Sequence, residues 1–454
     1  MFSNKVKGYL SLISAILINL LEGNLLTFSN IIPYYHSYLY YKHDNKEKIS
    51  AMQLYFVVSV GTFINLCFPS FTGILEQKLG IRVLTIITII SLYISHLIIY
   101  FSIEYYLLII SYIIFGFGSS CNYYQPVKNC WKYFPEKKDL MTGIIFSFFG
   151  LGSFVYTSIA DEMINPDNIE KEGNYYSKKI AFRFLSFTKF EIFSIIILGA
   201  LSIILCFPYE EENNENDNEE LIKKDIKEEF VPLKKMIFSL EFVKCLSITG
   251  CTFIFGYLLT ITYRNFGIEK KLDENGMHIL SKVFNLLNTF GRLIWGIIGN
   301  KFKFKIPYLI IMINQIICGI LIYFSAENLY TYFIIVCFGV LSYSGHAILY
   351  PSLIHRKFGV ENSVILLGIS GIFSGIAALI GPILTLFIND LDDYLITYLI
   401  GAAPSIISLF LTIFIKTERI SYINEKITIE INENENNKLV DRYNLISENN
   451  NNNN

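Results

Sequence analysis

The sequence predicts an all-α polytopic membrane protein with twelve transmembrane helices in two pseudo-symmetric bundles of six. Three observations predict this fold. The 454 residues are 53% hydrophobic and only 17% charged, whereas soluble domains average about 25% charged residues. The charges cluster between apolar runs of about 20 residues, the length at which a helix crosses the hydrocarbon layer of a bilayer. Several motifs also recur once, at nearly constant separation along the chain.

The apolar runs are predicted to be helices because lipid offers no partners to the backbone groups of open strands. The first run follows Lys5 and Lys7 and continues to about Ile32 without a small-residue cleavage site, so it is expected to remain as the first helix. The predicted spans are residues 8–32, 51–75, 82–102, 105–130, 140–160, 189–208, 238–263, 279–299, 306–325, 330–350, 364–388 and 394–415.

A polar, acidic stretch, EEENNENDNEELIKKDIKEEF, separates the sixth span from the seventh. It has no apolar face, which is typical of a flexible linker. Four segments are therefore predicted: an N-terminal six-helix bundle (1–208), a cytosolic acidic linker (209–236), a C-terminal six-helix bundle (237–416) and a disordered Asn-rich cytosolic tail (417–454).

The distribution of Lys and Arg predicts the orientation, because cytosolic loops carry an excess of these residues. If the N-terminus is inside, the inner loops and flanks hold 19 such residues and the outer segments hold 10. Both termini are therefore predicted to lie in the cytosol. The pattern does not distinguish the plasma membrane from an endomembrane.

The two halves repeat each other. The segment GILEQKLGIR follows the second span, and GIIGNKFKFK follows the eighth span 223 residues later. Other matches keep nearly the same separation, with one shift of two residues. The pairs in order are Gly73 and Gly296, Gly116 and Gly339, Pro126 and Pro351, Gly143 and Gly368, and Gly150 and Gly375. Two parallel six-helix repeats are typical of a transporter whose substrate site lies at the midplane between the halves.

These loop segments resemble a motif of the major facilitator superfamily, G-x-L-x-D-R-x-G-R-R. Gln77 replaces its acidic residue in the first copy, and Asn300 does so in the second. The resemblance implies a secondary transporter that works by alternating access. The residues of the first copy that fit the motif are Gly73, Leu75, Lys78, Gly80 and Arg82.

A narrower resemblance, to the oxalate/formate antiporter branch and the related monocarboxylate porters, lies in GFGSSCNYYQPVKNCWKYFPEKKDLMTG and in FNLLNTFGRLIWG. It implies a small organic anion as substrate, with a monocarboxylate preferred, and proton coupling or anion exchange. It also implies that Arg292 binds the substrate carboxylate. The matching residues of the first segment are Gly116, Gly118, Tyr123, Pro126, Lys132, Tyr133, Phe134, Pro135 and Gly143.

Arg292 is the strongest single indication of a substrate site. An arginine at the centre of a span costs about 2.5–3.5 kcal/mol on insertion scales, so it is expected to face the bundle interior or a water-filled cavity. Its planar donors fit a carboxylate, although a structural ion pair between helices is the alternative. Asn285 and Asn288 lie on the same helical face. The resembled porters carry an acid at position 288, and residues 364–388 contain no second cation, which favours a single carboxylate over a dicarboxylate.

Glu22 and His346 are the candidates for proton coupling, because ionisable groups within spans are functional candidates by default. The alternatives are an ion pair of Glu22 with Arg292 or a packing role, and a structural role for His346. Tyr124 and Tyr343 are expected to shape the pocket with Arg292. His96, in the third span, is interpreted as structural.

Other classes of protein are disfavoured by what the sequence lacks. It contains no nucleotide-binding loop, metalloprotease motif or nucleophile elbow, and none of its eight cysteines forms a C-x-x-C pair. No catalytic residue, metal or cofactor is therefore predicted, and the protein is not expected to be an enzyme. The net charge of −2 offers no field for nucleic acid.

Two alternatives keep the fold. The cargo could be an amino acid, a nucleoside or a drug-like cation, with Glu22 as the binding residue for a cation and Arg292 structural. The protein could also be a receptor that binds a ligand without moving it across the membrane.

Overall fold

The computed structural model describes residues 3–167, 169, 171–210, 233–385 and 391–417. Within these residues the regular elements are helices, apart from one isolated bridge between Glu172 and Tyr175. Residues 1–211 and 237–418 form one compact unit. A second unit comprises residues 212–236 and 419–454, of which only 233–236 are described. Most of the predicted linker and tail therefore lies outside the described residues.

The N-terminal half forms six membrane passes from nine helices. They are α1 (Asn4–Glu22), α2 (Asn24–Lys42), α3 (Ala51–Cys67), α4 (Pro69–Leu79), α5 (Ile81–Phe101), α6 (Tyr105–Ser120), α7 (Gln125–Tyr133), α8 (Lys138–Ile164) and α9 (Lys178–Leu205).

Three of these passes are interrupted. The first breaks at Gly23, between α1 and α2. The second bends by 52° at Phe68, between α3 and α4. The fourth breaks over residues 121–124, between α6 and α7. Pro69 and Pro126 stand in the first turn after their breaks, where a proline costs the helix no hydrogen bond.

A five-residue helix, α10, precedes the C-terminal half, whose six long helices are unbroken over their described residues. These helices are α10 (Leu233–Ile237), α11 (Leu240–Glu269), α12 (Glu274–Phe302), α13 (Lys305–Ser325), α14 (Leu329–Phe358), α15 (Val360–Thr385) and α16 (Leu391–Phe414).

Short polar side chains set several helix starts in both halves. Ser50 and Gln53 form a reciprocal capping box at α3. The side chains of Ser239, Asp273 and Asn328 accept hydrogen bonds from the first turns of α11, α12 and α14. Such caps satisfy backbone donors that would otherwise lack partners.

The predicted fold class is confirmed. Nine helices of the described residues are long and apolar enough to cross a membrane, and the bent α3–α4 pair makes ten. The remaining two of the twelve predicted passes are the α1–α2 pair and α12. These two passes contain Glu22 and Arg292, so the least apolar passes hold the intramembrane charges to which the sequence assigns a function.

Two predicted spans differ from the helices by ten residues or more at one boundary. The first helix pair extends to Lys42, ten residues beyond the predicted end of the first span. The sixth pass begins at Lys178 rather than at residue 189. Both extensions lie at the same end of the bundle, where the helices project past the apolar runs.

The halves pack against each other through small residues. α8 lies along α12, and α15 lies along α3 and α4. A Cβ atom on Gly143 would come within 2.9 Å of Gly296 Cα, and one on Gly371 within 2.2 Å of the Leu66 carbonyl oxygen. Contacts this close between backbones need glycine.

Both ends of the described membrane region lie on the same side of the bundle, here called the terminal end. Near the start of the described membrane region, Lys7 pairs with Glu210, which lies just after α9, at 3.4 Å. Near the finish of the described membrane region, Lys357 at the end of α14 donates to the backbone carbonyl oxygen of Lys416 at 2.6 Å. This arrangement agrees with an even number of passes.

The chain leaving α9 is held against α1 and α7 at the terminal end. Ser11 and Phe207 exchange two hydrogen bonds, of 2.7 and 3.0 Å. The Asn129 side chain donates to the Phe207 carbonyl oxygen and accepts from the Tyr209 backbone N–H, both at 2.9 Å. Tyr133 donates to the Pro208 carbonyl oxygen at 2.9 Å. The segment that precedes the acidic stretch is thus anchored on α7.

Candidate substrate site between the two halves

Arg292 lies at the contact between the halves, eighteen residues into α12. Its side chain is buried, and one terminal nitrogen donates to the carbonyl oxygen of Phe146 on α8 at 2.9 Å. The guanidinium also lies over the Phe149 ring, 5.5 Å from its centroid. The Nε atom is buried without an acceptor. Arg292 is thus held in place from the opposite half, with one donor unused.

Three tyrosines interact electrostatically with Arg292: Tyr123, which precedes α7, Tyr257 on α11 and Tyr343 on α14. The Tyr257 and Tyr343 rings meet edge to face, with centroids 5.8 Å apart. Gly256 makes room for this packing, because a Cβ atom there would lie 2.1 Å from the Tyr343 ring. Within the described residues Arg292 forms no ion pair with an acid. The structural ion pair considered from the sequence is therefore not formed.

Asn285 and Asn288 share a helical face with Arg292, as the spacing predicts. Asn288 is buried, and its side-chain oxygen has no hydrogen-bond partner. Asn285 is half-buried, and its backbone carbonyl oxygen accepts a hydrogen bond from the Thr289 hydroxyl. A free acceptor on Asn288 and a free donor on Arg292 therefore lie one helical turn apart.

Glu22 is the last residue of α1 and is completely buried. Neither carboxylate oxygen has a hydrogen-bond partner, so the predicted alternative of an ion pair with Arg292 is not formed. Tyr123 interacts electrostatically with both Glu22 and Arg292. Tyr123 is thus within electrostatic range of both the acid of the N-terminal half and the cation of the C-terminal half.

His346 is buried on α14, and both of its ring nitrogens are engaged. Nδ1 contacts the Tyr308 hydroxyl, and Nε2 lies 3.1 Å from the Thr249 hydroxyl. Thr249 also lies 3.4 Å from the Ser374 hydroxyl. Hydroxyl groups thus satisfy both ring nitrogens of His346, whereas the carboxylate oxygens of Glu22 have no hydrogen-bond partners.

Tyr124 and His346 line a small, partly open cleft. Tyr124 packs edge to face on Tyr123, with centroids 4.6 Å apart. Tyr343 and Arg292 are not part of this lining, but Tyr123 belongs both to the cleft and to the surroundings of Arg292. The full lining is Tyr123, Tyr124, Thr249, Phe253, His346, Ala347, Tyr350, Pro351, Ser370, Gly371 and Ser374.

Ion pairs join the halves at the terminal end. Glu361, at the start of α15, pairs with Lys132 at 2.6 Å and with Lys128 at 3.2 Å. Asp139, at the start of α8, pairs with Arg356 at 2.7 Å. None of the ion pairs among the described residues joins the halves at the opposite end. The charge pairs that join the halves therefore lie at the terminal end.

Glu76 supplies the acid that the loop motif lacks at Gln77. It pairs with Lys128 at 3.0 Å, so that this buried lysine bridges Glu76 and Glu361. Trp131 lies beside these pairs, buried against His355 with ring centroids 4.6 Å apart. The loop after the second pass is thereby linked to the opposite half.

The profile of the Major Facilitator Superfamily matches residues 11–382, most of the chain. The chain belongs to this superfamily. Its family and fold are those of multi-pass, non-enzymatic carriers of small molecules. The uncharacterized MFS-type transporter YhjX of Escherichia coli (strain K12) is 22% identical over 319 residues, which are 67% of this chain and 71% of that protein.

Two solved structures of the superfamily resemble the chain in fold. One is the proton:xylose symporter XylE bound to 6-bromo-6-deoxy-D-glucose, with a TM-score of 0.67 and 13% identity, covering 92% of this chain and 98% of that chain. The other is FucP in the outward conformation, with a TM-score of 0.65 and 14% identity, covering 91% of this chain and 100% of that chain. At these identities the likeness shows the fold, and the narrower oxalate/formate resemblance stays a prediction.

The structure brings Arg292, Asn288 and Tyr343 together and leaves Glu22 and His346 on opposite halves. Sequence reasoning missed Tyr257. The signal was a four-residue spacing on α11 that places Thr249, Phe253 and Tyr257 on one face, two of which line the cleft.

Proposed function

We propose that the protein is a secondary transporter of a small organic anion, with a monocarboxylate as the preferred class. The observation that carries the proposal is the buried guanidinium of Arg292, which has no acidic partner among the described residues. A buried cation without a counter-ion is costly, and a substrate carboxylate would supply that counter-ion. The unused Nε donor is available to it.

The surroundings of Arg292 favour one carboxylate over two. The tyrosines around it offer hydroxyl donors and apolar ring faces, which suit an anion with a short organic body. Residues 364–388 supply no second cation. A dicarboxylate would therefore leave its second charge unpaired in the site.

Coupling to protons fits Glu22 better than His346. Glu22 is buried with both oxygens free, whereas both nitrogens of His346 are already engaged. A carboxyl without partners can gain and lose a proton without breaking hydrogen bonds. Exchange of one anion for another remains the alternative mode, in which Arg292 alternates between two substrates.

The terminal end is proposed to face the cytosol, since the Lys and Arg excess lies there. Its ion pairs then close the cytosolic side of the site. The cleft in this structure would accordingly accept substrate from the outer side, as expected for one state of an alternating-access cycle.

The test is uptake of labelled lactate, pyruvate, formate and oxalate into proteoliposomes, with and without a pH gradient. We expect uptake of at least one monocarboxylate to exceed that of oxalate, and to increase with an inward proton gradient. Absence of uptake of all four by demonstrably folded protein would refute the substrate class.

A cationic substrate is the second candidate, and the free carboxylate of Glu22 favours it. Arg292→Gln and Glu22→Gln separate the two cases. An anion transporter loses binding with the first substitution and keeps it with the second, and a cation transporter shows the reverse.

A further inference from the structure

A second group of ionisable and amide side chains lies inside the N-terminal bundle, apart from Arg292. It consists of Glu191 on α9, Asn24 at the start of α2 and His96 on α5. All three are buried, being 4, 5 and 4% exposed. The substrate site described above uses none of them.

Hydrogen bonds fix the protonation of His96. Its Nδ1 lies 2.8 Å from the carbonyl oxygen of Leu92, which can only accept, so Nδ1 carries a hydrogen. Its Nε2 lies 3.0 Å from the side-chain nitrogen of Asn24, which can only donate. Nε2 is therefore an acceptor, and the ring is neutral in this arrangement.

Asn24 connects His96 to Glu191. The amide nitrogen carries two hydrogens, of which one is directed to His96. The Asn24 side chain also lies within hydrogen-bonding reach of the Glu191 carboxyl group. The Asn24 oxygen is buried and has no partner. Asn24 thus joins the histidine and the carboxyl group as a donor.

Glu191 has no cation to balance a negative charge. Among the described residues, no Lys, Arg or His nitrogen forms an ion pair with it. Lys189, on the same helix, lies instead over the Tyr100 ring, at 5.6 Å. An uncompensated carboxylate in such an interior is costly. A bound proton removes that cost.

The other titratable groups around Glu191 are neutral hydroxyls. Tyr112 from α6 and Tyr156 from α8 interact with it, and Tyr156 bonds Ser194 at 2.7 Å. From α2, Tyr35 interacts with Tyr112. From α1, Glu22 interacts with Tyr123 and Cys121 rather than with Glu191. His96 on α5 is linked to Glu191 through Asn24.

We propose that Glu191, Asn24 and His96 form a proton-binding site inside the N-terminal bundle, separate from Glu22 and from the Arg292 site. With the proton bound, Glu191 is a neutral carboxyl and His96 a neutral ring. Release of that proton leaves a carboxylate that Asn24 can stabilise by donation. Asn24 directly follows the break at Gly23, so the amide that serves this site stands where the first pass can bend. The inference is independent of the substrate class proposed above.

The experiment is infrared difference spectroscopy of the full-length protein in liposomes, titrated with pH in the absence of substrate. The carboxyl C=O stretching band of Glu191 is identified by its loss in Glu191→Gln, with Glu22→Gln as the matched control. We expect the wild-type protein to show a titrating band that disappears in the first variant and persists in the second. A spectrum unchanged by Glu191→Gln would overturn the proposal, as would a Glu191 band that does not titrate while the protein stays folded.

A second variant tests the role of Asn24 while keeping Glu191 in place. Asn24→Leu removes the donor to the carboxylate, and hydrogen bonds to charged groups contribute enough to move a titration midpoint by about one to two pH units. We expect the midpoint of the Glu191 band to move to higher pH by that amount. An unmoved midpoint would show that Asn24 only fills space, and it too would overturn the proposal.

Discussion

Each half of the molecule has six membrane passes, but several passes of the N-terminal half are interrupted, whereas those of the C-terminal half are continuous helices over their described residues. Three passes of the N-terminal half break, at Gly23, at Phe68 and over residues 121–124. The matching passes of the C-terminal half are single helices of 29 or 30 residues, α11, α12 and α14. The chain therefore places its bends in one half.

The chemistry is divided in the same way. The intramembrane acids Glu22 and Glu191 belong to the interrupted half, and Glu22 is the last residue before a break. Arg292 and His346 belong to the continuous half. Backbone groups freed at a break need partners within the protein, and Thr72 supplies one by donating to the Ser120 carbonyl oxygen at 2.9 Å. We infer that the C-terminal half presents a rigid cation and that the N-terminal half adjusts around it.

The largest effect is expected from Arg292→Gln. A hydrogen-bonded charge pair contributes about 1.5–3 kcal/mol, so binding of the anionic substrate should fall by about one to two orders of magnitude. Lys282→Gln is the matched control, because Lys282 is exposed on the same helix. Binding measured by equilibrium dialysis should be nearly unchanged in the control. Equal losses of substrate binding in both variants would show that Arg292 is not part of the substrate site.

Gly23→Ala tests whether the break in the first pass is fixed by packing. A Cβ atom there would lie 2.3 Å from the Phe149 carbonyl oxygen and 2.7 Å from the Ser153 nitrogen, both backbone atoms of α8. Overpacking of this kind costs about 1–3 kcal/mol, and thermal unfolding in detergent should show it. The control in the continuous half is Gly250→Ala, whose nearest neighbour would be a side chain at 3.7 Å. Similar unfolding midpoints for the two variants would contradict this account.

Glu361→Gln should weaken the closure at the terminal end moderately. Glu361 is 58% exposed, and exposed pairs contribute about 0–1 kcal/mol. The double change Glu76→Gln and Glu361→Gln should act more strongly, because it leaves the buried Lys128 without an acid. Spin labels at Lys137 and Lys301 should report longer distances, most of all in the double variant. Glu327→Gln, which changes an exposed acid at the opposite end, should leave the distances unaltered.

Tyr308→Phe is expected to have the smallest effect on transport. It removes the hydroxyl that contacts His346 and donates to Thr252, two neutral hydrogen bonds that contribute about 1 kcal/mol each. If His346 is satisfied and structural, the stability falls by these two contributions while uptake keeps its response to a pH gradient. Glu22→Gln should abolish that response. If Tyr308→Phe abolished the response of uptake to a pH gradient, proton coupling would be assigned to the C-terminal half.

The sequence predicts the fold and the central cation for the same reason, the cost of placing charge in lipid. That cost separates loops from spans, and it also forces Arg292 into the interior. It does not predict the breaks. Pro126 and Pro351 are matching residues of the repeat, yet Pro126 begins a new helix and Pro351 lies within an unbroken one. The difference depends on tertiary packing, which local sequence does not encode.

An error in one predicted span boundary explains why Glu191 is not among the functional residues that the sequence predicts. The sequence predicts that the sixth span begins at residue 189, which places Glu191 at a membrane surface, where an acid needs no explanation. The helix begins at Lys178, so that Glu191 lies thirteen residues inside it. The charged residues Lys178, Lys179 and Arg183 precede the predicted span, yet they form the first turns of the helix.

The anchoring of residues 207–210 on α7 has a mechanical consequence. One face of this short helix holds Phe207 and Tyr209 through Asn129, and another face pairs with Glu361 of the opposite half through Lys128 and Lys132. A displacement of residues 207–210 would therefore act on α7, and also on α1, to which Ser11 and Lys7 tie the same segment. Through α7 it would reach the charge pairs between the halves, so that the position of this segment and the closure of the terminal end are mechanically linked.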